Sequence, residues 1–367
     1  MITFTPTEEQ GMLVDAIRRY AENQLRKVAH DADEASEVSD DILAKGWELG
    51  LLPGLIPEEY GGYADGPGAV TAALALEELA WGDLSIALKL WTPALFALPI
   101  LISGTDPQKK TYLPAFCDVE CPPATAALIE PRVTFDPWRP ATTATRCDDG
   151  TVMLEGEKTY VPLADTAERM IVYATDSQTG KVDGYIVERG MAGLEIGERN
   201  KLMGIRALPT FALKLAGVRV PEANRLGGEA GTNYAAILNR SRIALGALAV
   251  GIARAAFEYA RDYAKERVQF GAPIATKQAI AFRLADVAIE IDGARLMVWE
   301  AAWHADQGHD LTQPATLVKR YAAKMALFAT DSGVQVLGGH GYIREHPVER
   351  WLRNARGLVT FDGLAIL

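Results

Sequence analysis

The sequence is short of the features that would place it quickly. Of 367 residues only Cys117, Cys121 and Cys147 are cysteines. That is too few to staple a chain of this length, so the fold must rest on a buried core. Cys117 and Cys121 have no second ligand pair nearby, and a metal site is not expected. No secretory leader and no unbroken apolar run of bilayer-spanning length stands out, which makes the cytoplasm the default location. Positive charge is lacking as well. A net charge of −11 argues against a general binder of nucleic acid, and an anionic ligand would need a local basic site. Repeats, low-complexity runs and flexible linkers are missing, so the parts should pack as one unit.

What is there reads as an ordinary globular protein, 49% apolar and 23% charged, of one large or two to three smaller domains. Thr7–Gln10 (TEEQ) reads as a capping box, and the helix after it puts Val14, Ile17, Ala21 and Leu25 on one face. A second helix is expected over Asp40–Gly50, then a turn-rich stretch to Gly68. Buried helices follow at Thr71–Trp81 and Leu84–Leu101. From about Ala124 to Gly231 the chain changes to short β-branched segments, with Asp149-Gly150 as a hairpin signal. A small barrel or sandwich is expected there. The helical period then returns over Ala235–Lys265, Gln278–Asp306 and Pro314–Leu337, which reads as a bundle. The expected fold is α+β, divided as a helical domain 1–122, a β domain 123–233 and a helical bundle 234–367.

The most informative stretch is ERVQFGAPIATKQAIAFRLAD, Glu266 to Asp286. Arg267 offers a permanent charge and a forked donor face suited to phosphate. Phe270 offers a flat apolar surface, and Gln278 both a donor and an acceptor. Together with QVLGGHGYIREHPVERWLRNAR, Gln335 to Arg356, this string resembles the acyl-CoA dehydrogenase family. The family patterns are close to ERxxFGxPI…QAIxFxLAD and QxLGGxGYxxExPVER, and the resemblance covers nearly the whole chain.

The resemblance implies removal of an α-proton from an acyl-CoA while a hydride leaves the β-carbon for N5 of FAD. A weakly acidic thioester α-proton needs a desolvated carboxylate base and donors for the enolate oxygen. The base belongs to a loop after the PVER run, where this chain reads Phe361-Asp362-Gly363-Leu364, so Asp362 falls at the base position in place of the commoner Glu. Arg267, Phe270, Gln278, Gln335 and Gly339 match positions that hold the adenosine-pyrophosphate half of FAD for a neighbouring subunit. Arg242 matches a position that helps to bind the CoA thioester tail. The first helical domain and the long helix after the β domain wall the acyl pocket.

The flavin-ring half departs from the family. Its TEPxxGSD stretch reads Ile129-Glu130-Pro131-Arg132-Val133-Thr134-Phe135-Asp136 here, and its WIT-like stretch reads Tyr160-Val161-Pro162. Ile129, Phe135 and Pro162 stand where hydroxyls usually donate, Tyr160 replaces Trp, and Leu364 replaces the Thr after the base. Two readings follow. In one, the chain is an enzyme with a specialised ring site, Tyr160 stacking on the flavin, and an electron-transfer flavoprotein as acceptor. In the other, it is an FAD-sharing partner subunit of a heteromeric dehydrogenase. A third reading, a helical interaction protein, leaves the Arg267–Gln278–Gln335 set unexplained. His340 reads as a loop residue near FAD, Lys201–Arg206 as a structural turn, and Trp299 with Trp303 as helix packing.

Overall fold

A computed structural model describes residues 3–118 and 120–367. The first helix, α1 (Glu8–Tyr20), begins at the Thr7/Gln10 capping box. Its apolar line of Ile17, Ala21 and Leu25 is buried and continues into α2 (Arg26–Ala35), followed by α3 (Asp40–Trp47). α4 (Ala69–Gly82) is buried almost all round. The expected single helix over Leu84–Leu101 is two, α5 (Leu84–Trp91) and α6 (Ala94–Ser103), bent by 50°. Pro93 lies in the break, where its missing N–H interrupts the ladder. α7 (Asp106–Tyr112) opens on a second capping box, Thr105 with Gln108.

The middle of the chain forms one seven-stranded sheet. Its strands are β1 (Ala124–Ala127), β2 (Thr143–Arg146), β3 (Thr151–Pro162), β4 (Arg169–Asp176), β5 (Val182–Glu188), β6 (Leu194–Arg199) and β7 (Thr210–Pro221). They run in the order β1-β4-β2-β3-β7-β6, with β5 paired antiparallel to β4. Asp149-Gly150 turns β2 into β3 as expected, with Gly150 at φ +77°. The sheet curls around a core of its own that includes Val152, Leu154, Val172, Tyr185, Leu213 and Val218.

The last third is a bundle. α8 (Tyr234–Glu266) leads into a small hairpin, β8 (Val268–Gln269) and β9 (Ala272–Pro273). Then come α9 (Gln278–Asp306), α10 (Thr312–Leu337), α11 (Gly339–Tyr342) and α12 (Val348–Thr360). The sequence reading of three long helices omitted α12. Its signal was present, since Val348, Trp351, Ala355 and Leu358 recur at helical spacing and all four are buried.

By length and composition alone α8 could cross a membrane. Instead 78% of its most apolar stretch is buried within the protein, where it serves as the central core helix. Close approach to α4 requires Gly251, where a Cβ would lie 2.2 Å from the Glu77 carbonyl oxygen. Charge then locks the layers together. Arg254 on α8 lies 2.7 Å from both Glu77 and Glu78 on α4, and Arg295 on α9 lies 3.1 Å from Glu77.

Candidate active site

The direction of the helices sorts the candidate residues into two groups. α8 and α10 run the same way and α9 runs back between their ends. From Arg242 to the C-terminus of α8 is about 36 Å at about 1.5 Å per residue. Residues at the two ends of α8 therefore cannot meet around one reacting centre within a single chain.

At the far end lie Arg267, Phe270, Gln278, Gln335 and Gly339. Tyr263, one turn before Arg267, bonds His340 Nδ1 at 2.8 Å, and Arg283 near the start of α9 donates to Ser332 Oγ at 3.0 Å. These bonds tie the end of α8 to α11 and the start of α9 to the end of α10, with the β8–β9 hairpin following directly on α8. All five residues are exposed. Phe270 is 92% exposed and held at φ +55° in the hairpin turn. A Cβ built at Gly339 meets nothing within 4 Å, so ligand can approach the backbone there. A guanidinium, a bare aromatic face, two amides and an open glycine backbone fit the adenosine-diphosphate half of FAD. Arg267→Ala is expected to weaken FAD retention about tenfold to a hundredfold, by loss of a charge-assisted contact. Titration of apoprotein with FAD measures this.

At the near end, α12 delivers Phe361–Leu367 to the start of α8. Gly363 N–H donates to Ser241 Oγ at 3.2 Å, and Trp91 Nε1 donates to the Ile366 carbonyl at 2.7 Å. Asp362 Oδ1 lies 3.6 Å from Arg242 Nε, with both side chains mostly buried. Neither of those two atoms has a hydrogen-bond partner. The sequence selected Arg242 and Asp362 for separate reasons, and the fold brings them together. Tyr160, held at φ +53°, packs against Phe361 with ring centroids 4.8 Å apart, so it joins the same group. Beside them lies an apolar cavity of about 20 Å³. It is walled by Leu95 and Pro99 of α6, Tyr173 of β4, and Tyr234 and Leu238 of α8, and closed by Gly363. Burial pushes the Tyr234 phenol well above its usual range, and the nearby Asp362 carboxylate adds to this.

The loop expected to face the flavin ring is fixed from beneath by Glu130. Its carboxylate accepts from Ala141 N–H, Thr142 N–H and Thr142 Oγ1, each at 2.7 Å. It also accepts from Lys158 Nζ at 3.0 Å. Ile129 and Leu364 are buried, as is Pro162, and Phe135 is half-buried. The side chains that replace the family's hydroxyls thus contribute packing. The Thr159 amide is committed to the Ile129 carbonyl at 2.8 Å, and the Phe135 amide to Arg132 at 3.2 Å.

Several charged residues at this site carried no sequence signal, Lys158 and Lys319 among them. Lys319 on α10 bonds the Phe361 carbonyl and stands 3.7 Å from Asp362 Oδ1. The Lys201–Arg206 turn is held by Ile205 N–H donating to Asn354 Oδ1 at 2.6 Å and by Arg206 donating to Ser36 Oγ. His340 stacks on His346 at 5.4 Å. Trp299 and Trp303 line a surface cleft beside Thr7 and Asp306, away from Asp362.

Comparison with known proteins covers the whole arrangement. Residues 7–120, 125–218 and 230–365 match the models of the N-terminal, middle and C-terminal domains of acyl-CoA dehydrogenase. The sequence is 37% identical over 369 residues to the probable acyl-CoA dehydrogenase YngJ of Bacillus subtilis, covering 99% of this chain and 96% of that protein. The structure is similar to butyryl-CoA dehydrogenase from Megasphaera elsdenii, with a TM-score of 0.88 at 34% identity, covering 97% and 95% of the two chains. It is also similar to a chain in the electron transferring flavoprotein structure of Acidaminococcus fermentans. That match has a TM-score of 0.89 at 31% identity and covers 100% and 96%.

Proposed function

The chain belongs to the acyl-CoA dehydrogenase family, and on that premise we propose that Asp362 removes the α-proton of an acyl-CoA thioester during its α,β-dehydrogenation. FAD is the cofactor, and when bound it supplies the two-electron acceptor for the hydride that leaves the β-carbon. The observation that carries the reading is the pair of buried, unpartnered polar atoms, Asp362 Oδ1 and Arg242 Nε. They sit beside an apolar cavity that their neighbours Gly363 and Ser241 help to line. A buried carboxylate accepts a proton readily when the groups around it are organised in advance. A buried guanidinium stabilises the negative charge that develops on the thioester oxygen. The apolar walls exclude water and favour a short, uncharged acyl group.

The position of the second half of the site supports an oligomer. Arg267, Phe270, Gln278, Gln335 and Gly339 would hold the adenosine side for a second copy, while Tyr160 faces the ring from the first. α9 offers a surface for that contact. Phe282, Ile289 and Leu296, two turns apart in succession, are 60%, 68% and 45% exposed and form an apolar ridge unlike a solvated helix face. An electron-transfer flavoprotein as acceptor, a cytoplasmic location and the division at 1–122, 123–233 and 234–367 belong to the same reading.

The partner-subunit alternative draws on the altered ring side, but a chain that only lent its adenosine face would have no use for a buried Asp–Arg pair at a cavity. The protein purified alone is expected to carry close to one FAD per chain. A short-chain acyl-CoA should bleach it anaerobically faster than a long-chain one. A colourless chain that gains flavin only with a second dehydrogenase subunit would establish the alternative instead.

A further inference from the structure

An aromatic column runs from the surface to the wall of the apolar cavity. Tyr173 of β4 and Tyr234 of α8 line that cavity, with ring centroids 5.4 Å apart. Trp138 follows, set edge to face with Tyr234 at 5.9 Å. It does not line the cavity itself but packs against a residue that does. The Trp138 ring also lies 5.6 Å from the Arg242 guanidinium, the cation beside Asp362. The indole is 39% exposed, yet its loop is tied down on both sides. Tyr234 Oη donates to the Pro137 carbonyl at 2.6 Å, and Thr175 Oγ1 donates to the Pro140 carbonyl at 2.7 Å. The Trp138 amide donates to Asp136 Oδ1 at 3.0 Å. A single exposed apolar residue needs no special account. One anchored at three points, and packed on both the cavity wall and the Arg242 cation, does.

We propose that Trp138 is a specificity-determining residue for the dehydrogenation: by holding the Tyr234 ring in place it limits the length of acyl chain that the cavity accepts. This rests on the reading that the cavity beside Asp362 takes the acyl group. Tyr234 is packed against two rings, Tyr173 and Trp138, so it cannot yield to a longer chain. Removing the indole leaves space beside Tyr234 into which its ring can turn. In a cavity this small, moving one wall changes which chain fits. One methylene in an apolar pocket is worth about 10–200-fold in kcat/KM.

The test is anaerobic flavin reduction of the FAD-loaded protein by butanoyl-CoA and by octanoyl-CoA, for wild type, Trp138→Phe and Trp138→Ala. The quantity read is the ratio of the two second-order rate constants. A loss through Arg242 or through partial unfolding lowers both alike and cancels. Wild type should favour butanoyl-CoA. Trp138→Ala should move the ratio toward octanoyl-CoA by about tenfold or more. Trp138→Phe, which keeps a ring against Tyr234, should stay near wild type. An unmoved ratio in Trp138→Ala would overturn the proposal. Should that variant fail to hold FAD, Trp138→Leu, a smaller truncation at the same exposed position, decides in the same way. Binding of both thioesters to Asp362→Asn, with and without Trp138→Ala and followed by flavin absorbance, separates this proposal from the base assignment. If Asp362→Asn still reduces flavin at the wild-type rate while Trp138→Ala shifts the preference, the base assignment fails and the wall stands. If Asp362→Asn stops reduction and neither rates nor binding shift with Trp138→Ala, only the role of Trp138 fails. A protein that binds neither thioester would overturn both.

Discussion

Asp362→Asn should leave FAD bound and slow its reduction by acyl-CoA about 10²–10⁴-fold, the range expected when a positioned general base is removed. The substitution keeps the size and turn chemistry of Phe361–Gly363, with Gly363 at φ +74° where a bulkier residue would strain the backbone. It removes only basicity. Asp362→Glu restores a carboxylate but carries it one methylene further from the turn, so part of the rate should return. Stopped-flow bleaching of the flavin, with FAD content measured in parallel, separates lost chemistry from lost cofactor. An asparagine variant reduced at the wild-type rate would rule out the role.

A second large effect is expected on stability rather than on the chemical step. Lys158 and Glu130 are an almost fully buried ion pair, and Lys158 also donates to the Leu128 carbonyl at 3.1 Å. Burial pulls the Lys158 ammonium down to about 8. Burial alone would raise Glu130, but Lys158 and the Thr142 and Ala141 donors bring its carboxyl below the usual range. Lys158→Met strands that carboxylate and should cost about 3–5 kcal/mol, read as a lowered urea midpoint. Replacing both partners, Lys158→Met with Glu130→Leu, should recover much of the loss. The sign of the pH dependence follows from the lowered Glu130 value. Its contribution in the wild type is present above the ordinary Glu value of about 4.3 and is lost as pH falls through the folded value. In Lys158→Met the deficit should shrink on acidification, as protonation removes the stranded charge.

These residues mark where the sequence was readable. The limits of α8, α9 and α10, the Thr7/Gln10 box and the Asp149-Gly150 hairpin depend on neighbours a few residues away, and local pattern exposes them. Arg242 and Asp362 were legible because each falls in a string with a known counterpart, although only the fold shows that they touch. Lys158 and Lys319 were not legible. By type a lysine belongs on the surface, and each is buried beside a partner remote in sequence: Glu130 for Lys158, Asp362 for Lys319. The split of Leu84–Leu101 was half visible, since Pro93 was in view but the size of its bend was not. The apolar spacing of α12 lies largely within the Gln335–Arg356 string and is broken up by Glu349, Arg350, Arg353 and Arg356.

The 33-residue length of α8 has a consequence for how this protein can change over time. One rigid rod carries Arg242 at one end and leads into Arg267 at the other, so it acts as a ruler with a phase as well as a length. Inserting a single residue between them lifts everything beyond by about 1.5 Å and rotates it by about 100°. That would turn the β8–β9 hairpin and Arg267 relative to the Arg242 end of the rod. Turns such as the one at Asp149-Gly150 can absorb insertions and deletions. The interior of α8 can accept substitutions but not a change in residue count.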